Sequence, residues 1–187
     1  DPMWVPPLLL ERQNHLSQRN PYFAHARTKF WLAYQNQTAV GRISAQIDKL
    51  HLERYQDLTG FFGMIEAKDN AKIFEPLFTA AETWLRNQGM RHIRGPFNLS
   101  INEECGLLIN GFEYPPMVMM GHAPQYYASQ VESLGYRKIK DTFAYHIDAT
   151  FPSPPIMKLI TARTAERITV SPLQRANFKR DISILQD

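Results

Sequence analysis

Apolar and polar residues alternate along three segments between residues 30 and 66, and this alternation predicts β-strands. Residues 30–34 are aromatic and compact, and the turn-forming residues 35–37 separate them from the alternating segment 40–47, so the two segments predict a hairpin. Residues 59–66 predict a third strand, which we expect inside the sheet because apolar residues occupy both of its faces. The polar stretch 51–57 between the last two strands predicts a loop.

After residue 70 the apolar residues recur at helical spacing and predict the clearest helix of the chain. Asp69 or Asn70 can cap its first turn, and Gly89 supplies the left-handed residue that ends it. One stripe carries the apolar residues Ile73, Phe74, Leu77, Phe78, Ala81, Trp84 and Leu85. A second helix is expected to open at Pro124 and to end at Gly135.

Weaker patterns complete this outline. A short helix is predicted near the start of the chain, with Pro6 and Pro7 in its first turn. Residues 91–94 predict a short strand, and the alternating segment 136–148 predicts a longer one. The run Met-Val-Met-Met at 117–120 predicts a buried strand, or else the lining of an apolar cleft.

The predicted fold class is α/β (α+β), with a mixed, largely antiparallel sheet flanked by helices. Prolines at 152, 154 and 155 divide the chain into a domain over residues 1–150 and a linker over 151–167. The remaining residues, 168–187, predict the truncated start of a second domain, with a strand at 168–170 and a helix at 178–185. A missing C-terminal half of the same protein is therefore an expected partner.

Composition excludes several classes of protein. The 187 residues carry a formal net charge of +3, and the basic residues are dispersed, so no nucleic acid partner is predicted. A single cysteine, Cys105, excludes an intrachain disulfide, and the six histidines lack metal-site spacing, so no metal is predicted. Neither a signal peptide nor a membrane-spanning stretch is visible, which predicts a cytoplasmic protein without a membrane partner.

The segment 126–138, Tyr-Tyr-Ala-Ser-Gln-Val-Glu-Ser-Leu-Gly-Tyr-Arg-Lys, ends in a Leu-Gly-Tyr-Arg-Lys turn. Together with the order of elements over residues 28–148, it resembles the GNAT superfamily of acyl-CoA-dependent N-acetyltransferases. The stretch Asn-Glu-Glu-Cys-Gly at 102–106 is similar to one in a bacterial GNAT-like group of unassigned role. The resemblance implies acetyl-CoA or another acyl-CoA as cofactor, and a small-molecule or peptide amine as acceptor.

One departure from the family concerns the cofactor. GNAT enzymes hold the CoA pyrophosphate on a glycine-containing loop between the third strand and the following helix, where the backbone can approach the phosphates closely. Residues 66–72 contain no glycine, and Asp69 places a negative charge there. Lys68, Asn70 and Lys72 remain the candidates for binding the cofactor; the alternative is that the lysines are solvated at a helix end.

The resemblance also implies catalytic roles. Glu66 ends the third strand, where some family members carry a general base, and Glu103 is the alternative base. Val131 stands where many members have a tyrosine that acts as the general acid, so Tyr127, one helical turn earlier, is the candidate acid. The structural alternatives are that Glu66 belongs to the helix cap region and that Tyr127 packs against the sheet.

The glycine-flanked loop at 102–106 adds further pocket candidates. Asn102, Glu104 and Cys105 concentrate an amide, an acid and a thiol, and His122 is one of the two histidines nearest in sequence to the thiol. Cys105 is either a nucleophile with a depressed pKa or a small buried residue.

Three functions follow from the sequence. The chain is an acyl-CoA-dependent N-acyltransferase or the degenerate half of one; alternatively it is a non-catalytic GNAT-like scaffold, or a protein-interaction module.

Overall fold

The computed structural model describes residues 2–148, 150, 152–165, 167, 172 and 174–186, which fall into two compact units, 1–139 and 140–187. The strands of the first unit are β1 (Ala26–Gln35), β2 (Thr38–Asp48), β3 (Thr59–Ala67) and β4 (His92–Arg94). Its helices are α1 (Leu9–His15), α2 (Tyr22–His25), α3 (Lys49–Tyr55), α4 (Ala71–Asn87) and α5 (Tyr126–Ser133). The second unit contains α6 (Pro155–Thr164), a short 3₁₀ helix (Arg175–Asn177) and α7 (Phe178–Gln186).

The described strands form one sheet in the order β1-β2-β3-β4. β1 with β2 and β2 with β3 pair antiparallel, whereas β3 and β4 pair parallel over three residues. Asn36 and Gln37 both adopt positive φ at the first hairpin, which matches the turn class whose twist suits two antiparallel strands. The predicted mixed, largely antiparallel sheet with flanking helices is confirmed.

Helix α4 covers one face of the sheet, as its apolar stripe predicted. Asn70 caps it by accepting a hydrogen bond from the Lys72 amide at 3.0 Å, and Gly89 follows its end with a φ of +84°. Phe74, Phe78 and Ala81 are buried almost completely in the core between helix and strands. Burying each such aromatic ring stabilises the fold by roughly 1.5–3 kcal/mol.

The opposite face of the sheet is also covered, near its centre. Ser44 and Gln46 on β2 are fully buried there, and Gln46 donates hydrogen bonds to the carbonyls of Phe97 and Leu99 at 2.6 and 3.4 Å. β3 bulges at Met64, which has a positive φ of 47° and donates its amide to Asn98 Oδ1 at 2.7 Å. Asn98, in the loop after β4, therefore accepts a backbone hydrogen bond from β3 where the bulge interrupts its pairing with β2.

The structure overturns three expectations. Residues 51–57, predicted as a loop, lie mostly in α3, because Asp48 caps it by accepting the Leu50 amide. Residues 136–148 form no strand: alternation defines an apolar face, but a strand also needs a hydrogen-bonding neighbour, and no described residue pairs with this segment. The run 117–120 is neither a strand nor buried, since all four residues are exposed.

At the ends of the chain, the predicted N-terminal helix forms as α1, but it begins at Leu9, so the placement of Pro6 and Pro7 in its first turn was wrong; α7 confirms the predicted helix at 178–185. Helix α6 lies within the stretch predicted as a linker, and the predicted strand at 168–170 lies outside the described residues. The division into a domain, a linker and a second domain stays a prediction.

Candidate functional site

A cavity of about 440 Å³ opens where β2 begins and β3 ends, against the start of α5. It brings together four residues that the sequence predicted as site residues, namely Glu66, Lys68, His122 and Tyr127. Its wall also contains Trp4, Leu32, Arg42 and Tyr126, which the sequence analysis missed. A wider groove of about 670 Å³ between β1 and α4 contains none of the predicted residues.

Glu66 and Arg42 form the charged side of the cavity. They face each other across β2 and β3, and Arg42 Nη2 lies 3.1 Å from Glu66 Oε2. Both side chains are about half exposed, so the ion pair is solvated and weak. The sequence did not reveal Arg42, because the bulge at Met64 shifts the register of β2 and β3 and only then brings position 42 opposite position 66.

Two adjacent tyrosines fix the end of β3. Tyr127 accepts a hydrogen bond from the Ala67 amide at 2.9 Å, and Tyr126 donates its hydroxyl to the Ala67 carbonyl at 2.8 Å. Burial raises the pKa of Tyr127 to about 12, although the hydrogen bond from Ala67 opposes the shift. Both hydroxyls therefore hold one residue, whose neighbours Glu66 and Lys68 line the cavity.

The remaining wall is aromatic and aliphatic. Trp4 and Leu32 line it and are each about half exposed, and the ring of Tyr126 packs edge-on against that of Phe74. Burial raises the pKa of Tyr126, and a hydrogen bond with Tyr127 acts against that shift. A carboxylate beside aromatic rings attracts an ammonium group, and the apolar wall suits a hydrocarbon chain.

The junction between β3 and α4 does not fit a diphosphate. The Lys72 amide already binds the Asn70 side chain, and the Ile73 amide binds the Asn70 carbonyl at 2.9 Å. The carboxylate of Asp69 lies beside them and accepts a hydrogen bond from Gln130 at 2.8 Å. The backbone groups that would cradle CoA phosphates are thus partly occupied within the chain, next to a negative charge.

Lys68 and Lys72 are exposed at this junction, and Lys68 lines the cavity. Their role, and that of Asn70, in binding a cofactor stays a prediction.

None of the residues in the loop at 102–106 lines the cavity. Phe97 and Cys105 bridge across the base of the loop, and Cys105 is half-buried. Both carboxylate oxygens of Glu104 are engaged, one by Arg12 at 2.9 Å and one by Asn98 at 2.7 Å. The structure therefore does not bring Cys105 and His122 to the same cavity.

Two further predicted residues of this loop have partners outside the cavity. Glu103 Oε2 lies 3.7 Å from the imidazole Nε2 of His15 on α1. Asn102 is exposed, and its backbone N–H donates a hydrogen bond to Ser100 Oγ at 3.2 Å. Of the two candidate bases, Glu66 lines the cavity and Glu103 does not. Arg12 and His15 carried no signal in the sequence, because their partners lie about 90 positions away.

Among the residues that the structure describes, no group of three His, Cys, Asp or Glu side chains could hold a metal ion. No described helix combines the length and the apolar character needed to cross a bilayer.

The chain is similar to two curated bacterial proteins along its whole length. It is 46% identical over 190 aligned positions to Protein YghO of Escherichia coli (strain K12), and it covers 48% of that protein. It is 44% identical over 190 positions to the bacterial ceramide synthase of Caulobacter vibrioides (strain NA1000 / CB15N), and it covers 50% of that protein. The chain thus spans about half the length of the curated relatives it matches. No family model matches it. No solved structure matches it.

Proposed function

We propose that this chain is the acceptor-binding half of an N-acyltransferase whose acceptor is a primary amine carrying a long apolar chain. The observation that carries the proposal is the carboxylate of Glu66 at an aromatic and aliphatic cavity. The name of the Caulobacter relative supports it, since a ceramide is the amide of a fatty acid and a long-chain amino alcohol.

The reaction balances without an oxidant or a reductant. The amine nitrogen attacks the carbonyl carbon of an acyl thioester, the C–N bond forms, and the C–S bond breaks. The departing thiolate takes one proton and leaves as a thiol. An acceptor that arrives as an ammonium ion releases one additional proton, which must pass to a base before the attack.

Glu66 is the proposed base of this chain. It attracts the ammonium by charge, and its exposed carboxylate can pass the proton to water. Tyr127 is the proposed acid: its pKa of about 12 keeps the hydroxyl protonated at neutral pH. Glu103, outside the cavity, has no part in this proposal.

The acyl donor belongs to a different part of the proposal. Because the junction at Asn70 does not fit a diphosphate, the chain offers no backbone site for CoA there. We therefore assign binding of the acyl-CoA to polypeptide beyond this chain, and binding of the amine to this chain. A scaffold without chemistry of its own would bind neither compound.

Calorimetric titration with decylamine tests the acceptor side, and decanol is the neutral control with the same hydrocarbon chain. We expect saturable binding of decylamine, weaker binding of decanol, and about threefold to tenfold loss of decylamine affinity in Glu66→Gln. The matched control is Glu75→Gln, because Glu75 is an exposed glutamate that lines the other groove. Equal binding of amine and alcohol, or an unchanged Glu66→Gln variant, would sink the proposal.

A parallel titration with acetyl-CoA tests the division between the two halves. We expect no saturable binding to this chain. Binding that is lost in a Lys68→Ala, Lys72→Ala double variant would move the donor site to this chain. In the whole-length protein, Glu66→Gln is expected to lower kcat/KM for the amine.

A further inference from the structure

We propose that the rim of the cavity is a docking surface for the face of a lipid bilayer. The proposal takes from the proposed function only the apolar chain of the acceptor, which would reside in a membrane. It departs from the expectation that no membrane partner exists, and it requires no spanning helix. The rim is defined by two exposed segments, residues 4–10 and 117–120, and by Lys68 and Lys72 at the junction of β3 and α4.

The first segment leads directly out of the cavity. Trp4 lines the cavity wall, and the chain then continues through Val5, Leu8, Leu9 and Leu10. These five apolar side chains are between 49% and 80% exposed within seven positions. A water-soluble surface rarely presents so many apolar side chains together, and tryptophan beside leucines is typical of residues that enter the interfacial region of a bilayer.

The second segment precedes another residue of the cavity wall. His122 lines the wall, and Met117, Val118, Met119 and Met120 precede it by two to five positions. All four are exposed, and Val118 is 91% exposed. Two separate apolar segments thus adjoin, along the chain, residues that line one cavity.

Charge at the rim favours lipid over a protein partner. Lys68 lines the cavity, Lys72 follows in the first turn of α4, and both are exposed. With Arg42, the cations there number three, against the two carboxylates of Glu66 and Asp69, so the rim is net positive. Lysine is depleted in the core of protein interfaces, whereas exposed lysines beside tryptophan and leucine suit anionic lipid headgroups.

Flotation with vesicles of phosphatidylethanolamine and phosphatidylglycerol tests the proposal on the 187-residue chain. We expect the chain to float with the vesicles. A Leu9→Glu, Val118→Glu double variant should bind the vesicles at least about tenfold more weakly. Both substituted residues are exposed, so the variant should fold. The matched control is Leu50→Glu on α3, because Leu50 is exposed beyond the opposite end of β2 and should leave vesicle binding unchanged.

Brominated acyl chains give a second readout. They are expected to quench the wild-type tryptophan fluorescence and to quench Trp4→Phe much less, because Trp31 and Trp84 pack against each other away from the rim.

Three results would overturn the proposal: no binding of the wild-type chain to vesicles, equal loss in Leu50→Glu, or a dimer that the double variant converts to a monomer. The last result would make the rim an interface between copies. Titration of the double variant with decylamine keeps the two proposals separate, because neither Leu9 nor Val118 lines the cavity. We expect its decylamine affinity to equal that of the wild type.

Discussion

Arg12 on α1 donates a 2.9 Å hydrogen bond to Glu104, a residue 92 positions later in the chain. The other carboxylate oxygen of Glu104 accepts a hydrogen bond from Asn98, and Asn98 in turn accepts the amide of Met64 in the bulge of β3. This line of contacts fastens the first helix and the loop after β4 to the sheet. Glu104, predicted as a pocket residue, thus has a structural role in the fold.

Glu104→Ala is expected to lower the free energy of unfolding by about 1.5–2.5 kcal/mol, because two hydrogen bonds to a partly buried carboxylate are lost. Denaturant unfolding monitored by circular dichroism measures the change. The matched control is the neighbouring Glu103→Ala, whose long contact with His15 should contribute less than about 0.5 kcal/mol. Equal effects of the two substitutions would contradict this role for Glu104.

Tyr127→Phe is expected to destabilise the chain by about 1–3 kcal/mol, because it leaves the Ala67 amide without its partner in the core. Tyr126→Phe should cost less than about 1 kcal/mol, since water can reach the Ala67 carbonyl beside the partly exposed Tyr126. Thermal and denaturant unfolding compare the two, with Tyr114→Phe at an exposed tyrosine as the control. A larger loss of stability in Tyr126→Phe than in Tyr127→Phe would contradict the greater structural role of the Tyr127 hydroxyl.

Arg42→Gln is expected to strengthen decylamine binding by about twofold to fivefold, because it removes the cation that competes for Glu66. The same substitution should have no effect when Glu66→Gln is already present. Calorimetry on the four members of this double-mutant cycle gives the coupling free energy between Arg42 and Glu66 in decylamine binding. High salt should reduce this coupling. An equal gain in both backgrounds would show that Arg42 acts on the amine without Glu66.

Acid should weaken the fold through Asp57, which lies away from the cavity. Burial acts to raise its pKa, but hydrogen bonds from Thr59 and His51 outweigh burial and lower the pKa below the ordinary value. A carboxyl whose pKa is lower in the folded than in the unfolded state stabilises the fold above the unfolded pKa, and loses that contribution as the pH falls through the folded pKa. The free energy of unfolding should therefore fall from about pH 5 to about pH 3.

Asp57→Asn tests this contribution, since an amide cannot titrate. We expect a shallower decline of stability in acid for the variant than for the wild type, measured by urea unfolding at a series of pH values. Asp69→Asn, at an exposed residue, is the control and should keep the wild-type slope. If the free energy of unfolding declined in parallel with pH for Asp57→Asn and the wild type, Asp57 would not be the source of the acid sensitivity.

The sequence by itself determined the elements whose residues are neighbours in the chain. The alternation along β1 to β3, the turn at Asn36 and the apolar stripe of α4 with its cap at Asn70 all depend on contacts within a few positions. These local patterns also placed Glu66 near the end of the third strand and Tyr127 in the last helix of the first unit.

Only the tertiary structure decided which of these residues meet. Gly63 shows the reason: an added side chain there would overlap the carbonyl of Phe97, so the sheet and the loop after β4 touch through backbone atoms that no residue pattern records. Trp4, Glu66 and His122 likewise come from three distant segments and share one cavity. The strand predicted at 136–148 did not form for the same reason, because a strand depends on a partner that its own sequence does not specify.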